Sequence, residues 1–217
     1  MKKWTTLAAL AILGAGAASF ALSGQNTSAA PSSTGSGPHP ARAASASTVS
    51  FDQKIAPLAL LDTSGKPVTV GDWDKSKATV LMFVATQCPV SNAYNTRMAA
   101  LSKTYGAKGV RFVGINSNKA EGGSEVASHS KDNGFDFAVL KDPQNKIADR
   151  FDAKVTPEIY VVGPKGDLLY KGRIDNSQNQ AQVNDKSLQK ALDAILSGKS
   201  VTERETRAFG CSIKREG

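Results

Sequence analysis

Two cysteines, Cys88 and Cys211, are the side chains of this 217-residue chain best suited to covalent chemistry. Cys88 stands in Thr86-Gln87-Cys88-Pro89-Val90-Ser91, directly after the apolar run Val80-Leu81-Met82-Phe83-Val84. Such a run reads as a strand buried on both faces. Pro89 suits the first turn of a helix, where its missing N–H costs nothing. After it Ala93, Tyr94, Met98, Leu101 and Tyr105 recur on one helical side. Cys88 is thereby expected at a helix N-terminus, whose unpaired amides and dipole favour thiolate over thiol. A nucleophile titrating below the free-thiol value of ~8.5 follows from that placement. The other reading is an inert core cysteine; polar Thr86 and Gln87 speak against it, because a core residue would continue the apolar run. One helical turn after Cys88 comes Ser91. Its hydroxyl could hydrogen-bond a thiolate but cannot form a disulfide with it.

The rest of the composition narrows the possible chemistry. The two histidines, His39 and His129, do not make a metal-ligand set with one local cysteine, so neither metal nor cofactor is expected. Net charge is +8, and with Lys2, Lys3 and Arg42 set aside 24 basic and 19 acidic residues remain, a domain charge of +5. These charges are scattered, without basic runs or interleaved aromatics, which argues against nucleic-acid binding. Met1-Lys2-Lys3-Trp4 followed by uncharged Leu7 to Leu22 and small residues reads as a secretory signal peptide over 1–23, an uncleaved membrane anchor being the alternative. Residues 24–50 are almost entirely Ala, Ser, Thr, Gly and Pro, a composition that cannot bury enough apolar surface to order itself, and are expected to be a flexible linker. His39 falls in this linker. The folded domain is expected over 51–217, in an exported, periplasmic or extracytoplasmic protein.

Several elements must position Cys88. Lys54 to Leu61, a turn at Asp62 to Lys66, and alternating Val68 and Val70 predict a hairpin. Val110 to Asn116 is a second buried strand, and the helix between it and the first forces a parallel pair with a right-handed crossover. Polar Ser117 to Ser124 then forms the loop at that strand's carboxyl end, beside Cys88. Ser124 is expected to cap a helix through Asn133, leaving His129 as a solvated side chain rather than a general base. Phe137 to Leu140 is a third strand, and Asp142-Pro143 starts a helix to about Phe151. Ile159 to Val162 and Leu168 to Arg173 flank a turn at Pro164 to Asp167. Asp175 to Asp185 is a polar loop without evident role. Ser187 to Ser197 carries an apolar stripe, Leu188, Ala191, Leu192, Ile195 and Leu196, as the last packing helix.

A strand, an x-x-Cys-Pro loop and a helix together resemble the active-site segment of the thioredoxin superfamily, in its redoxin and alkyl hydroperoxide reductase/thiol-specific antioxidant branch. Ala-Pro-x-x-Leu followed by Gly-Lys-x-Val-x-Val at residues 56–70 looks like the N-terminal extension of redoxins. The resemblance implies an α/β thioredoxin-like fold, a central mixed sheet flanked by helices with that hairpin added. It implies a cis proline at Pro157 facing Cys88, with the backbone of Thr156 pairing with an incoming substrate chain. Thr86 and Ser91 join Thr156 and Pro157 as expected substrate-binding residues. Thioredoxins place a second cysteine where this chain has Ser91, so two-cysteine chemistry within the loop is excluded. Gly210-Cys211-Ser212-Ile213-Lys214 resembles the C-termini of a bacterial redoxin subgroup, and Cys211, the one other thiol, is expected within disulfide reach of Cys88 as a resolving cysteine.

Three functions remain open at this level. One is thiol-disulfide exchange on protein or small-molecule disulfides, with Cys88 attacking and Cys211 resolving. A second is peroxidase activity; peroxiredoxins resemble P-x-x-x-T-x-x-C, and here Ala85 and Leu81 stand where the threonine and proline belong. The third is a binding scaffold with a structural Cys88–Cys211 disulfide. Copper delivery is disfavoured because Asn92 occupies the second-cysteine position of that branch. Contact with a membrane is expected only through an uncleaved N-terminal segment.

Overall fold

The computed structural model describes residues 48–216; the signal-peptide and most of the linker expectations lie outside them. In chain order the strands are β1 (Leu58–Leu61), β2 (Pro67–Val70), β3 (Ala78–Phe83), β4 (Val110–Asn116), β5 (Ala138–Lys141), β6 (Val155–Thr156), β7 (Glu158–Val162), β8 (Leu168–Gly172) and β9 (Cys211–Ser212). The helices are α1 (Pro89–Ala93), α2 (Asn95–Gly106), α3 (Gly123–Asp132), α4 (Lys146–Phe151) and α5 (Ser187–Leu196). Seven strands form one mixed sheet in the order β2-β1-β5-β4-β3-β7-β8, and β6 pairs with β9 in a separate two-stranded ladder. β3, β4 and β5 are mutually parallel, as the crossover helices require. β7 runs antiparallel beside β3, and β8 beside β7.

All six residues of β3 are buried, because helices and loops cover both faces of the sheet at its centre. Alternate side chains feed two cores. Val80 and Met82 pack with Met98, Leu101 and Tyr105 of α2, Val126 of α3 and Leu188, Ala191 and Leu192 of α5. Leu81 and Phe83 point the other way, toward Ile55, Trp73, Tyr160, Ile147 and Phe151 of α4, and Ile213 of the tail. There the rings of Phe83, Phe151 and Tyr160 lie 5.0–6.1 Å apart, two of the three pairs edge to face, a favoured aromatic geometry.

Several boundaries differ from the sequence expectation. The helix after Cys88 is interrupted at Tyr94, whose hydroxyl donates to Asp175 at 2.9 Å while Arg97 stacks over its ring at 3.8 Å. Arg97 also bonds Asp175 at 2.6 Å and the carbonyls of Ser177 and Gln178. These contacts give the polar 175–185 loop its role, a clamp against α2. α3 starts at Gly123 behind Gly122, without the side-chain cap expected from Ser124. The helix expected from Asp142 starts at Lys146, after left-handed Gln144 and Asn145; the Asp142 carboxylate accepts from the Ile147 and Ala148 amides at 2.9 Å and so serves the true N-terminus. β8 stops at Gly172 rather than Arg173, because the returning tail crosses there. A Cβ on Gly172 would lie 2.1 Å from Thr206 Oγ1. Val49, assigned to the linker by composition, donates to the Arg150 carbonyl at 2.8 Å and packs against the second core.

Candidate active site

Cys88 is 3% exposed and caps α1, accepting at Sγ from the Ser91 amide at 3.2 Å. The sulfur therefore meets a main-chain donor. The expected contact from the Ser91 hydroxyl is replaced, since Ser91 Oγ accepts from the Ala85 amide at 3.3 Å and the whole residue is buried. Ser91 thus holds the loop from within and has no face toward a substrate. Thr86 is likewise turned away from the sulfur: its hydroxyl donates to Glu125, which also accepts from Gln87 Nε2 at 3.0 Å.

Cys88 and Cys211 are disulfide-bonded, with Cα atoms 5.9 Å apart and a sequence separation of 123. The tail that delivers Cys211 returns along the sheet after α5. Thr206 bonds Tyr170 at 2.6 Å, and the Phe209 ring meets that of Tyr94 at 6.3 Å. β9 then pairs antiparallel with β6, placing Cys211 opposite Thr156 and Ser212 opposite Val155. Beyond the ladder the Ile213 amide donates to the Lys154 carbonyl at 2.9 Å, and the Ile213 side chain is buried in the second core. The Lys214 amide donates to Asn118 Oδ1 at 2.7 Å, and its carbonyl accepts from the Lys119 amide at 2.9 Å.

Thr156 and Pro157 are joined by a cis peptide, and both are buried. The Thr156 carbonyl oxygen lies 3.3 Å from Cys88 Sγ. Of the expected substrate-binding residues, the structure brings Thr156 against both cysteines, while Ser91 is buried within the loop and the Thr86 hydroxyl is held by Glu125 of α3. A cleft of about 140 Å³ beside the disulfide is lined by Gln87, Cys88, Asn118, Glu121, Cys211 and Lys214.

A buried polar layer behind the loop was not identified from the sequence. Glu121, 2% exposed, accepts from the Thr86 amide at 2.8 Å, the Gln87 amide at 3.1 Å, Asn118 Nδ2 at 2.8 Å and Asn116 Nδ2. Burial pushes its carboxyl upward, but these donors outweigh burial and hold it below the ordinary glutamate value. Lys141 Nζ bonds the carbonyls of Glu121 and Asn118 and the side chain of Asn116; burial depresses it, against the opposing pull of Glu121, Glu125, Asp142 and Glu216. Asn116 and Lys141 end parallel strands and Glu121 sits in the adjoining loop. That shared carboxyl edge was the available signal.

His129 is half-buried rather than solvated. Its Nε2 lies 2.9 Å from Asn92 Oδ1, its ring meets that of Phe135 edge to face, and burial lowers its basicity against the nearby acids. Asn92 in turn donates to the Thr86 carbonyl at 2.8 Å. Among the described residues no group of three or more His, Cys, Asp or Glu could hold a metal ion. No helix among them is long and apolar enough to cross a membrane.

The sequence pattern of the AhpC/TSA family matches residues 51–171, more than half of the chain, and the chain belongs to that family. A hypothetical protein from Sinorhizobium meliloti 1021 shares the fold with a TM-score of 0.72 at 28% identity, over 78% of this chain and 97% of that one. An uncharacterized conserved protein from Geobacillus kaustophilus does so at 0.70 and 31%, over 76% and 91%. A thioredoxin-like protein of Haemophilus influenzae is 25% identical over 123 residues, 57% of this chain and 66% of that protein, so the chain spans just under two thirds of its length. The fold is thioredoxin-like, with the redoxin hairpin β1–β2 attached. Cys211 lies outside the span matched by the family.

Proposed function

We propose that this protein is an exported thiol-disulfide oxidoreductase in which Cys88 is the nucleophile and Cys211 the resolving cysteine. The observation that carries this reading is the long-range pairing itself. A tail threaded along the sheet brings the second cysteine onto the sulfur of a cysteine that has no partner in its own loop. In the reduced protein the Ser91 amide is available to the Cys88 thiolate, and hydrogen bonds to the charged form favour it. The Cys88 thiolate attacks one sulfur of a substrate disulfide, and the other sulfur leaves as a thiolate. The Cys211 thiolate then attacks Cys88 Sγ, the bound substrate sulfur leaves and takes a proton from water, and the Cys88–Cys211 disulfide remains. An external dithiol must reduce it before the next turnover.

The Thr156 edge, taken by β9 in the disulfide-bonded protein, is where an incoming chain would pair, and Pro157 shapes that edge. Protein or small-molecule disulfides are the substrates. Export rests on the N-terminal sequence, with residues 1–23 as signal peptide and 24–50 as linker to the domain. Peroxidase activity is less well supported, because Ala85 offers no hydroxyl and that of Thr86 is spent on Glu125.

The test is the equilibrium of the pair with glutathione. A reduction potential between about −120 and −270 mV, in the range of catalytic dithiols, supports exchange; one below about −300 mV assigns the bond a structural role. Turnover with a disulfide-bonded test protein should vanish in Cys88→Ser.

A further inference from the structure

The tail meets the Thr156 edge as a bound polypeptide would, and its side chains are not read equally. Gly210 passes so close to β6 that a Cβ there would lie 2.0 Å from the Thr156 carbonyl oxygen and 2.7 Å from its carbon. Both neighbours are backbone, so nothing flexible can yield. Cys211 and Ser212 follow in ladder register. Ser212 and Lys214 are exposed and contribute mainly their backbones, whereas Ile213 is 6% exposed, its side chain set between α4 and the sheet. Any other chain bonded to Cys88 along this edge would meet the same carbonyl before its cysteine and the same apolar slot two residues after it. β9 and such a chain cannot occupy the edge together.

We propose that β9 is an internal stand-in for the substrate strand, and that the partner is an extended polypeptide cysteine preceded by glycine and followed two residues later by an aliphatic side chain. This deepens the exchange reading and rests on it. The Cys88 thiolate attacks the partner's cysteine sulfur, whose former disulfide partner leaves as a thiolate, and the partner strand takes the edge. When Cys211 attacks Cys88 Sγ, the S–S bond to the partner breaks as β9 reclaims the ladder. Resolution and expulsion of the product are then one motion. The oxidised protein presents a closed edge, and the reduced protein an edge that β9 holds only by non-covalent contacts.

The experiment uses the full chain carrying Cys211→Ser, which leaves Cys88 as the sole thiol. The probe is the heptapeptide Ala-Phe-Gly-Cys-Ser-Ile-Lys with its cysteine joined to 5-thio-2-nitrobenzoate, whose release reports capture. Replacing the glycine by alanine, or the isoleucine by glutamate, should each slow capture ~10-fold or more, as expected for a steric clash and a charge placed in an apolar slot. Adding Gly210→Ala to the protein should instead speed capture of the parent peptide, because the clash now loosens β9. Equal rates for the three peptides, with all reacting, overturn the selectivity and leave exchange standing. Unchanged capture on adding Gly210→Ala overturns the competition by β9. Failure of every peptide and of 5,5′-dithiobis(2-nitrobenzoate) overturns exchange itself. Should Cys211→Ser not fold, the oxidised unaltered chain serves: each peptide thiol opens Cys88–Cys211 to a mixed disulfide whose yield, by mass spectrometry, must fall in the same order.

Discussion

Cys88 is held largely by its own stretch of chain: β3 leads into it, Pro89 starts the helix after it, the Ser91 amide meets its sulfur and the Ser91 hydroxyl ties back to Ala85. Cys211 has no such local frame. It is held by Thr156 and Val155 through the ladder, and its flanks by Lys154, Asn118, Lys119 and Tyr94, all distant in sequence. One half of the disulfide is therefore a local motif and the other a tertiary assembly. A cysteine at a helix start can be set by local backbone geometry, but a partner outside that loop must be carried to it by packing.

The largest expected effect comes from severing the bond between the two regions. Cys211→Ser, or reduction, frees a loop of 123 residues and should lower unfolding stability by roughly 4–5 kcal/mol in the chain-entropy account. Thermal melts of oxidised and reduced protein measure it. An unchanged melting temperature would show that the tail contacts suffice without the bond.

Next is Ile213, the apolar anchor of the tail. Ile213→Ala should cost about 2–5 kcal/mol, expressed as protease sensitivity after α5 in the reduced protein. Cys88 should then alkylate faster than in the parent, since its 3% exposure reflects the tail lying over it. A slower reaction would mean that Cys88 depends on the tail for its reactive geometry, and the contrast between the two regions would fail.

Glu121→Gln bears first on the Cys88 side, through the Thr86 and Gln87 amides, and reaches the tail only through Asn118. An amide places N–H groups against donors that now share a carboxylate, at an expected cost of about 1–3 kcal/mol. The sign of its pH dependence follows from the lowered folded value. Stability from Glu121 is present above the unfolded glutamate value near ~4.3 and is lost as pH falls through the folded value. The variant should lack that part of the acid loss in denaturant titrations, and identical acid profiles would refute it.

The smallest effect belongs to His129. Burial depresses its folded value, against the pull of Glu121, Glu125 and Asp132, so stability is full above the unfolded value near ~6.5 and declines as pH falls through that value toward the folded one. His129→Gln should flatten the decline. A His129 proton signal in NMR titrating above the unfolded value would reverse the sign and overturn this assignment.

Much of this arrangement was legible in the sequence. The unbroken apolar run of β3, the Cys-Pro start of α1 and the stripe of α5 are periodic or short-range signals, and each element formed where its pattern put it. Two of the boundaries that moved did so under contacts from elsewhere, Asp175 at Tyr94 and Thr206 at Gly172. His129 read as solvated because its neighbours in sequence are polar, while Asn92 and Phe135, which half-bury it, lie on other elements. Glu121 carried no signal in its own pattern, since a glutamate in a polar loop looks the same whether it faces water or four donors.

What the sequence by itself determined is the identity and placement of Cys88, the absence of a second cysteine in its loop, and the parallel β3–β4 crossover that sets it at the sheet's carboxyl edge. Only the tertiary structure decided which backbone edge the tail would take, that Cys211 would face Thr156 across a two-residue ladder, and that Glu121 would brace the loop from behind. The physical reason is range: periodicity and helix starts follow from neighbouring residues, whereas strand pairing and buried polar networks depend on groups that meet only once the core has closed.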